Sequence, residues 1–136
     1  MAAARFWRET NARYNLEGAS CGNCDKVYFP ARAICPDCHR ESLGKMNPQK
    51  MNGTGEVVSF TAVHDGAKHL AMQSPYIMAI IQLDEGKDAR LTAQLVECQE
   101  EELAIGTKVE AVFRRIQEDG KSGVIHYGYK FRPVKE

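Results

Sequence analysis

CGNCDKVYFPARAICPDC, residues 21–38, contains two C-x-x-C pairs separated by ten residues. Each pair predicts a tight turn that directs two cysteine sulfurs toward one ion, and Lys26–Phe29 predicts a short strand between the turns. Two such turns supply the four thiolates of a tetrahedral zinc site, in which Zn–S distances are about 2.3 Å. We therefore predict a structural zinc ion with four cysteine ligands: Cys21, Cys24, Cys35 and Cys38.

Two other uses of these cysteines stay open at this point. Four thiolates also suit iron, as in rubredoxin, because ligand type alone does not separate the two metals. Redox dithiol chemistry normally uses a single C-x-x-C at the start of a helix in a βαβ unit, and neither condition is met here. His39 follows the last cysteine, but four thiolates already complete the tetrahedron. Such a closed site leaves no position for water or substrate, which indicates a role in folding and not in catalysis.

The composition is that of an ordinary soluble protein, with 43% hydrophobic and 26% charged residues in a chain of 136. A chain of this length buries one modest core, so a smaller second part benefits from a metal staple. No apolar run reaches the roughly 18 residues of a membrane span, and MAAARFWRET lacks the apolar segment of a secretory signal. We expect a cytoplasmic protein whose reduced cysteines are available to metal.

The chain divides by pattern into three parts: an N-terminal helical segment 1–18, a zinc ribbon 19–48 and a β domain 49–136. Residues 2–13 predict a short helix. Its large side chains, Phe6 and Trp7, are expected to anchor it to the body of the protein, and docking of this helix on a partner protein is the alternative. Residues 42–55 are rich in Gly, Asn, Pro and Lys without periodicity, which predicts a linker.

Beyond the linker, apolar patterning predicts five strands, of which the second is nearly continuously apolar and the others alternate apolar and polar residues, the third only loosely. They cover residues 56–64, 75–83, 89–97, 107–116 and 123–131. The segment QEEELAIG between the third and fourth strands favours a helical turn. This order is typical of the five-stranded OB-fold barrel, so the fold class is mainly β, with an N-terminal helix, a rubredoxin-like zinc ribbon and a C-terminal OB-fold. In the last strand we expect the face with Tyr127, Tyr129 and Phe131 to point into the core.

No pattern in the sequence indicates an active site. His64, His69 and His126 have no motif around them, and the Glu100–Glu102 run suits the start of a helical turn. A zinc ribbon joined to an OB-fold also allows nucleic-acid binding, which is the second functional hypothesis. Strand binding needs a positive groove with stacking aromatic rings. Residues 51–136 hold ten Lys or Arg against thirteen Asp or Glu, so the barrel segment does not favour it.

Five motifs occur in an order that resembles one family. They are FWRE (6–9), CGNCDKVYFPARAICPDC (21–38), GTGEVVSFT (53–61), PYIMAIIQLDEG (75–86) and IGTKVEAVFRRI (105–116). Together they look like the acyl-CoA-associated zinc-ribbon/OB-fold family, domain of unknown function 35, and the resemblance extends from Phe6 to Pro133. The paired cysteine turns occur in many ribbons, whereas their combination with the PYIMAIIQLDEG segment is far more specific.

The resemblance implies a non-catalytic accessory subunit of thiolase-fold enzymes. In archaea such members are similar to a bridge between acetoacetyl-CoA thiolase and 3-hydroxy-3-methylglutaryl-CoA (HMG-CoA) synthase in the mevalonate pathway of isoprenoid biosynthesis. The acyl-CoA intermediate then passes between the two enzymes. In bacteria the implied partners are acyltransferases or aldol-type lyases. The expected cofactor is structural zinc, with coenzyme A or acyl-CoA as a shared ligand.

A shared coenzyme A site needs apolar walls for the pantetheine arm and cations for the phosphates. The barrel segment offers a set of candidates for these contacts: Lys68, Tyr76, Arg90, Arg114 and Arg115. Tyr76 is the candidate for contact with adenine or pantetheine, and the four cations are candidates for the phosphates.

Overall fold

The computed structural model describes residues 3–135, and its first elements are two short helices, α1 (Ala3–Arg8) and α2 (Thr10–Asn15). The prediction of one continuous helix over 2–13 was therefore wrong in its continuity, and residue 2 lies outside the described residues. Between the helices, Thr10 Oγ1 donates to the Trp7 carbonyl at 2.8 Å. Glu9 joins the two helices, because its carboxylate accepts from Arg5 at 3.3 Å and from Arg13 at 2.5 Å.

Three antiparallel strands form the zinc ribbon, in the order β2-β1-β3. They are β1 (Glu17–Cys21), β2 (Val27–Tyr28) and β3 (Met46–Lys50). The prediction of a linker over 42–55 was wrong for β3, which pairs with β1 along five residues. Gly18 permits the close approach of β1 to β2, since a Cβ atom there would lie 2.3 Å from the Tyr28 carbonyl oxygen.

Five further strands close into a barrel, in the order β4-β5-β6-β8-β7. They are β4 (Thr54–Val63), β5 (Tyr76–Leu83), β6 (Arg90–Leu95), β7 (Lys108–Glu118) and β8 (Ile125–Pro133). The predicted OB-fold and mainly β class are confirmed. The expected helical turn between β6 and β7 is a 3₁₀ turn at Glu100–Glu102. Two 3₁₀ turns without a sequence prediction lie at His39–Ser42 in the ribbon and at Lys68–Gln73 between β4 and β5.

In the first half of β8, the buried side chains are not those of the face that was predicted to point into the core. Phe131 is fully buried and Tyr129 half-buried, as expected, but Tyr127 is 37% exposed. On the opposite face His126 is fully buried, because α1 covers it and the Phe6 ring lies 4.4 Å from the imidazole between centroids. The expectation that both apolar residues of α1 anchor the helix holds for Phe6 and fails for Trp7, which is 77% exposed.

One core joins the ribbon to the barrel. Phe29 follows β2, is buried with the barrel residues, and forms a parallel bridge with Ala89. Its ring also lies 5.8 Å from that of Tyr129 between centroids. Directly before β1 and directly after β3, the chain is joined by a hydrogen bond from the Met51 amide to the Leu16 carbonyl at 2.9 Å. None of the helices formed by the described residues has the length and apolar content that a membrane span requires.

Candidate metal centre and ligand-binding face

The structure brings the four predicted sulfurs together in the ribbon. All four Sγ atoms lie within 4.8 Å of one another, with 3.9 Å between those of Cys21 and Cys38 and 3.6 Å between those of Cys24 and Cys35. A tetrahedron with Zn–S bonds of about 2.3 Å has S–S edges of about 3.8 Å. The cluster therefore has the size that one zinc ion requires.

The same backbone turn builds both halves of the cluster. The Asp25 amide donates to the Cys21 carbonyl and the His39 amide to the Cys35 carbonyl, each at 2.9 Å. Asp25 and His39 both adopt left-handed backbone conformations, with φ of 60° and 50°. His39 serves as this turn residue and not as a member of the sulfur cluster.

Three polar side chains support the cysteines, and sequence reasoning did not single them out. The Tyr28 hydroxyl lies 3.2 Å from Cys35 Sγ and donates to it when the sulfur is a thiolate. This hydrogen bond lowers the pKa of Cys35 to about 6. Asn23 Nδ2 donates to Cys38 Sγ at 3.2 Å, and Ser42 Oγ accepts from the Cys35 amide at 2.9 Å. Such partners fix the orientation of metal ligands, and their only signal in the sequence was proximity to a cysteine.

The five coenzyme A candidates fall into two groups. Tyr76 and Arg90 lie on the same face of the β5–β6 strand pair. Gln82 lies six positions after Tyr76, so the two share a face of β5, and Gln82 pairs in register with Arg90 on β6. Lys68 is exposed in the 3₁₀ turn that precedes β5. Arg114 and Arg115 lie on β7 and pair with nearby carboxylates, Arg114 with Glu97 at 2.8 Å and Arg115 with Glu118 at 3.6 Å. The structure does not bring all five into one cluster.

A cavity of about 350 Å³ adjoins the outer face of β5, β6 and β8. Its walls come from α2, from Phe29 and Pro30 after β2, and from the Lys68–Gln73 turn. Strands β5 and β6 are the second and third strands of the barrel, whose outer face is the usual ligand face of an OB-fold. Lys130 lines this cavity and is only 7% exposed. The sequence prediction for β8 concerned its aromatic face, and it did not identify Lys130 on the opposite face.

This arrangement disfavours the nucleic-acid hypothesis. The Lys68–Gln73 turn lies against the outer face of β6, where Gln94 donates to Gln73 at 3.2 Å, and α2 lines the same cavity, so this face forms a compact cavity in place of a long groove. On the aromatic face of β8, Phe131 is fully buried and Tyr129 half-buried, which leaves Tyr127 as the exposed ring of these three. Single-strand binding needs exposed rings beside a positive groove, and the barrel segment carries an excess of acidic residues.

Comparison with known proteins identifies two types of domain in this chain. The pattern of the ChsH2 rubredoxin-like zinc ribbon domain matches residues 12–44, and that of the ChsH2 C-terminal OB-fold domain matches residues 48–114. A DUF35 domain-containing scaffold protein from Methanocaldococcus jannaschii is 50% identical over 96% of this chain and 90% of its own length. One from Methanothermobacter thermautotrophicus is 43% identical over 95% of this chain and 94% of its own.

A solved structure described as the Ltp2-ChsH2(DUF35) aldolase contains a chain of the same fold. That chain superposes with a TM-score of 0.69 at 27% sequence identity. The match covers 96% of the present chain and 92% of the other. The similarity thus includes the N-terminal helices, the ribbon and the barrel together.

Proposed function

This chain belongs to the DUF35 family, and from that membership we propose that it is a non-catalytic scaffold subunit of a thiolase-type enzyme complex. The observation that carries the proposal is the 50% identity, over nearly the whole chain, to a protein described as a scaffold. The likeness to a chain of the Ltp2-ChsH2 aldolase supports an enzyme of the thiolase or aldolase type as partner. The closed shape of the cysteine cluster fits a role in folding.

The finer proposal is that the chain bridges acetoacetyl-CoA thiolase and HMG-CoA synthase in the mevalonate pathway. Condensation of two acetyl-CoA molecules is uphill, so the reaction benefits when its product reaches the next active site before it is released. A small protein held between two enzymes fixes their separation and shortens that transfer. The bridge proposal rests on the family resemblance, and a lysate experiment tests it.

We further propose zinc as the ion in the four-cysteine cluster, with a structural role. Cys21, Cys24, Cys35 and Cys38 would hold it, and the Tyr28 and Asn23 side chains would stabilise the thiolates. Zinc is preferred over iron because the ribbon matches a zinc ribbon domain. Bound zinc would join the two turns and stabilise a small sheet that has little core of its own.

Coenzyme A contact is proposed for the outer face of β5 and β6, where Tyr76 and Arg90 lie, and for Lys68 beside it. Arg90 donates to Gln82 at 3.0 Å and forms no ion pair within the described residues, so its charge is available to a phosphate. Arg114 and Arg115 are weaker candidates because both already pair with carboxylates. Lys68→Ala and Arg90→Ala should each weaken coenzyme A binding to the assembled complex, and unchanged affinity in both would exclude these contacts.

Two exposed side chains mark surfaces that a partner enzyme would cover. Trp7 on α1 is 77% exposed and Met72 in the turn before β5 is 99% exposed. Large apolar groups in such positions are typical of protein interfaces. The exposure of Trp7 supports the alternative proposed from the sequence, that α1 docks on a partner protein.

The test is an affinity pull-down of the tagged chain from native lysate, with zinc measured on the same sample. We expect a thiolase and an HMG-CoA synthase in stoichiometric amounts and about one zinc per chain. Trp7→Ser should reduce their recovery, whereas Ile105→Ser, which alters a side chain that is 75% exposed, should not. Recovery of nucleic acid without any thiolase-fold protein would overturn the scaffold proposal.

A further inference from the structure

The cavity beside β5, β6 and β8 has a largely apolar lining that also includes two cations, together with the carboxylate of Glu9 and the imidazole of His69. Phe29, Leu70, Met78, Ala93 and Ile116 contribute the apolar surface. Arg13 and Lys130 also line it. A volume of about 350 Å³ lies at the lower end of the range of roughly 300–1,000 Å³ found for small-molecule sites. The cavity therefore fits a small, largely apolar molecule.

The two cations differ in how their charge is balanced. Glu9 neutralises Arg13, with its carboxylate 2.5 Å from Nη2 and 3.0 Å from Nε. Lys130 forms no ion pair within residues 3–135, and its side-chain partner is the neutral amide oxygen of Gln73 at a long 3.4 Å. That oxygen also accepts from Gln94 at 3.2 Å, so Lys130 shares it.

A lysine residue that is buried without an anionic partner is unusual, because burial removes hydration that only a paired negative charge replaces well. Lys130 is 7% exposed, and this burial lowers its pKa, with a smaller effect of the like charges on Arg114 and Arg115. Lys130 thus places one positive charge without an ion-pair partner at the wall of a largely apolar cavity, whose carboxylate, that of Glu9, already pairs with Arg13. The complement of this cavity is a molecule with a single negative charge and an apolar body.

We propose that this cavity binds a small monocarboxylate with an aliphatic chain, its carboxylate paired with Lys130 and its chain against Leu70 and Met78. A dianionic phosphate fits less well, since only one cation lacks a counter-charge and the surrounding walls are apolar. The cavity adjoins the face of β5 and β6 that is proposed for coenzyme A contact, but its binding residues, Lys130, Leu70 and Met78, are not among those candidates or the exposed groups on α1. A negative result here leaves the partner proposal untouched.

The test is isothermal titration of the full zinc-loaded chain with hexanoate, and with hexanol as a neutral probe of similar length. We expect saturable hexanoate binding that weakens at least about tenfold in Lys130→Met, which corresponds to the loss of one charge-assisted contact. Hexanol should bind Lys130→Met at least as well as the original chain. Lys121→Met, a change at an exposed loop lysine, should leave hexanoate binding unchanged.

A second variant keeps the test decisive if Lys130→Met fails to fold. Met78→Trp fills the cavity without removing the charge, and it should abolish the binding of hexanoate and hexanol alike. Circular dichroism melts establish that each variant is folded. The proposal is overturned if hexanoate shows no saturable binding, if Lys130→Met binds it as before, or if Met78→Trp still binds it.

Discussion

At the residue scale, the cysteine ligands depend on neighbours that carry no metal-binding signature themselves. Tyr28 and Asn23 each place a hydrogen-bond donor 3.2 Å from a sulfur. A thiolate that accepts such bonds is held in its charged form and in a fixed orientation. The positions of the four cysteines were predictable from spacing alone, because a C-x-x-C pair dictates its own turn. The donors were not, since their approach depends on how the ribbon folds.

Replacement of one buried ligand should remove the metal. Cys35→Ser is expected to purify with little zinc and with a disordered ribbon, because three thiolates and a hydroxyl bind the ion poorly. Cys98→Ser is the matched control, since Cys98 lies apart from the cluster against the barrel core. Metal analysis and near-UV circular dichroism check this prediction, and equal zinc content in the two variants would contradict it.

Loss of the tyrosine donor should weaken metal binding without abolishing it. Tyr28→Phe keeps the buried ring and removes only the hydroxyl that lies against Cys35. We expect roughly a 10- to 100-fold lower zinc affinity, the usual effect of losing a ligand's hydrogen-bond partner. Competition with a chromogenic chelator measures it. Tyr14→Phe, a change outside the ribbon sheet, should leave the affinity unchanged.

At the element scale, local pattern was enough for the barrel strands and insufficient for the ribbon. The barrel strands either alternate apolar and polar residues or, like β5, are nearly continuously apolar, and they pack on a shared core, so the sequence predicts them. Strand β3 has the sequence MNPQK, which lacks a recognisable strand pattern, and it forms because it pairs with β1. Burial of His126 on β8 likewise results from contact with another element, because Phe6 of α1 packs on it. No local pattern in β8 reveals this contact.

A network of ion pairs joins the end of β6 to β7 and β8. Glu97 accepts from Arg114 at 2.8 Å and from Arg132 at 3.2 Å, and Arg132 also binds Glu110 at 2.8 Å. These contacts, first that from Arg114, lower the pKa of Glu97 below its ordinary value of 4.5. The carboxylate therefore stabilises the fold above pH 4.5, and this stabilisation is lost as the pH falls through the lower folded-state pKa.

The network predicts a pH-dependent difference between two chains. Glu97→Gln should lower the thermal midpoint slightly at pH 7, because exposed ion pairs contribute little. The difference from the original chain should shrink as the pH falls below 4.5. Acid release of zinc affects both chains, so the comparison cancels it. Glu101→Gln, at an exposed carboxylate without an ion pair in the described part of the chain, should show no such pattern.

At the scale of the whole molecule, the ribbon and the barrel share one core because Phe29 belongs to both, so we expect them to unfold together. It leaves the ribbon sheet after β2 and is buried among barrel residues, beside Ala89 and Tyr129. The predicted division between a zinc ribbon that ends at residue 48 and a β domain that begins at residue 49 stays a prediction. The continuous core was not predictable, since Phe29 looked like the end of a ribbon strand.

Removal of the Phe29 ring should uncouple the two parts. Phe29→Ala is expected to cost about 3–5 kcal/mol, the usual range for a buried phenylalanine. In the original chain, zinc chelation should lower the unfolding midpoint of the barrel, since the folded ribbon contributes to its core. In Phe29→Ala the same treatment should leave the barrel midpoint nearly unchanged. Differential scanning calorimetry with and without chelator measures both effects, and an equal chelator response in both chains would contradict the coupling.

The contact between Phe6 and His126 has a consequence for how the protein is made. Helix α1 packs on β8, so its apolar side chain meets its partner only when nearly the whole chain has been synthesised. At about 5–20 residues per second, the 120 positions between the two residues take roughly 6–24 s. During that time the first helix has left the ribosome, whereas the strand that will bury it has not yet been made. A chaperone that binds the exposed Phe6 side chain would protect the chain until then.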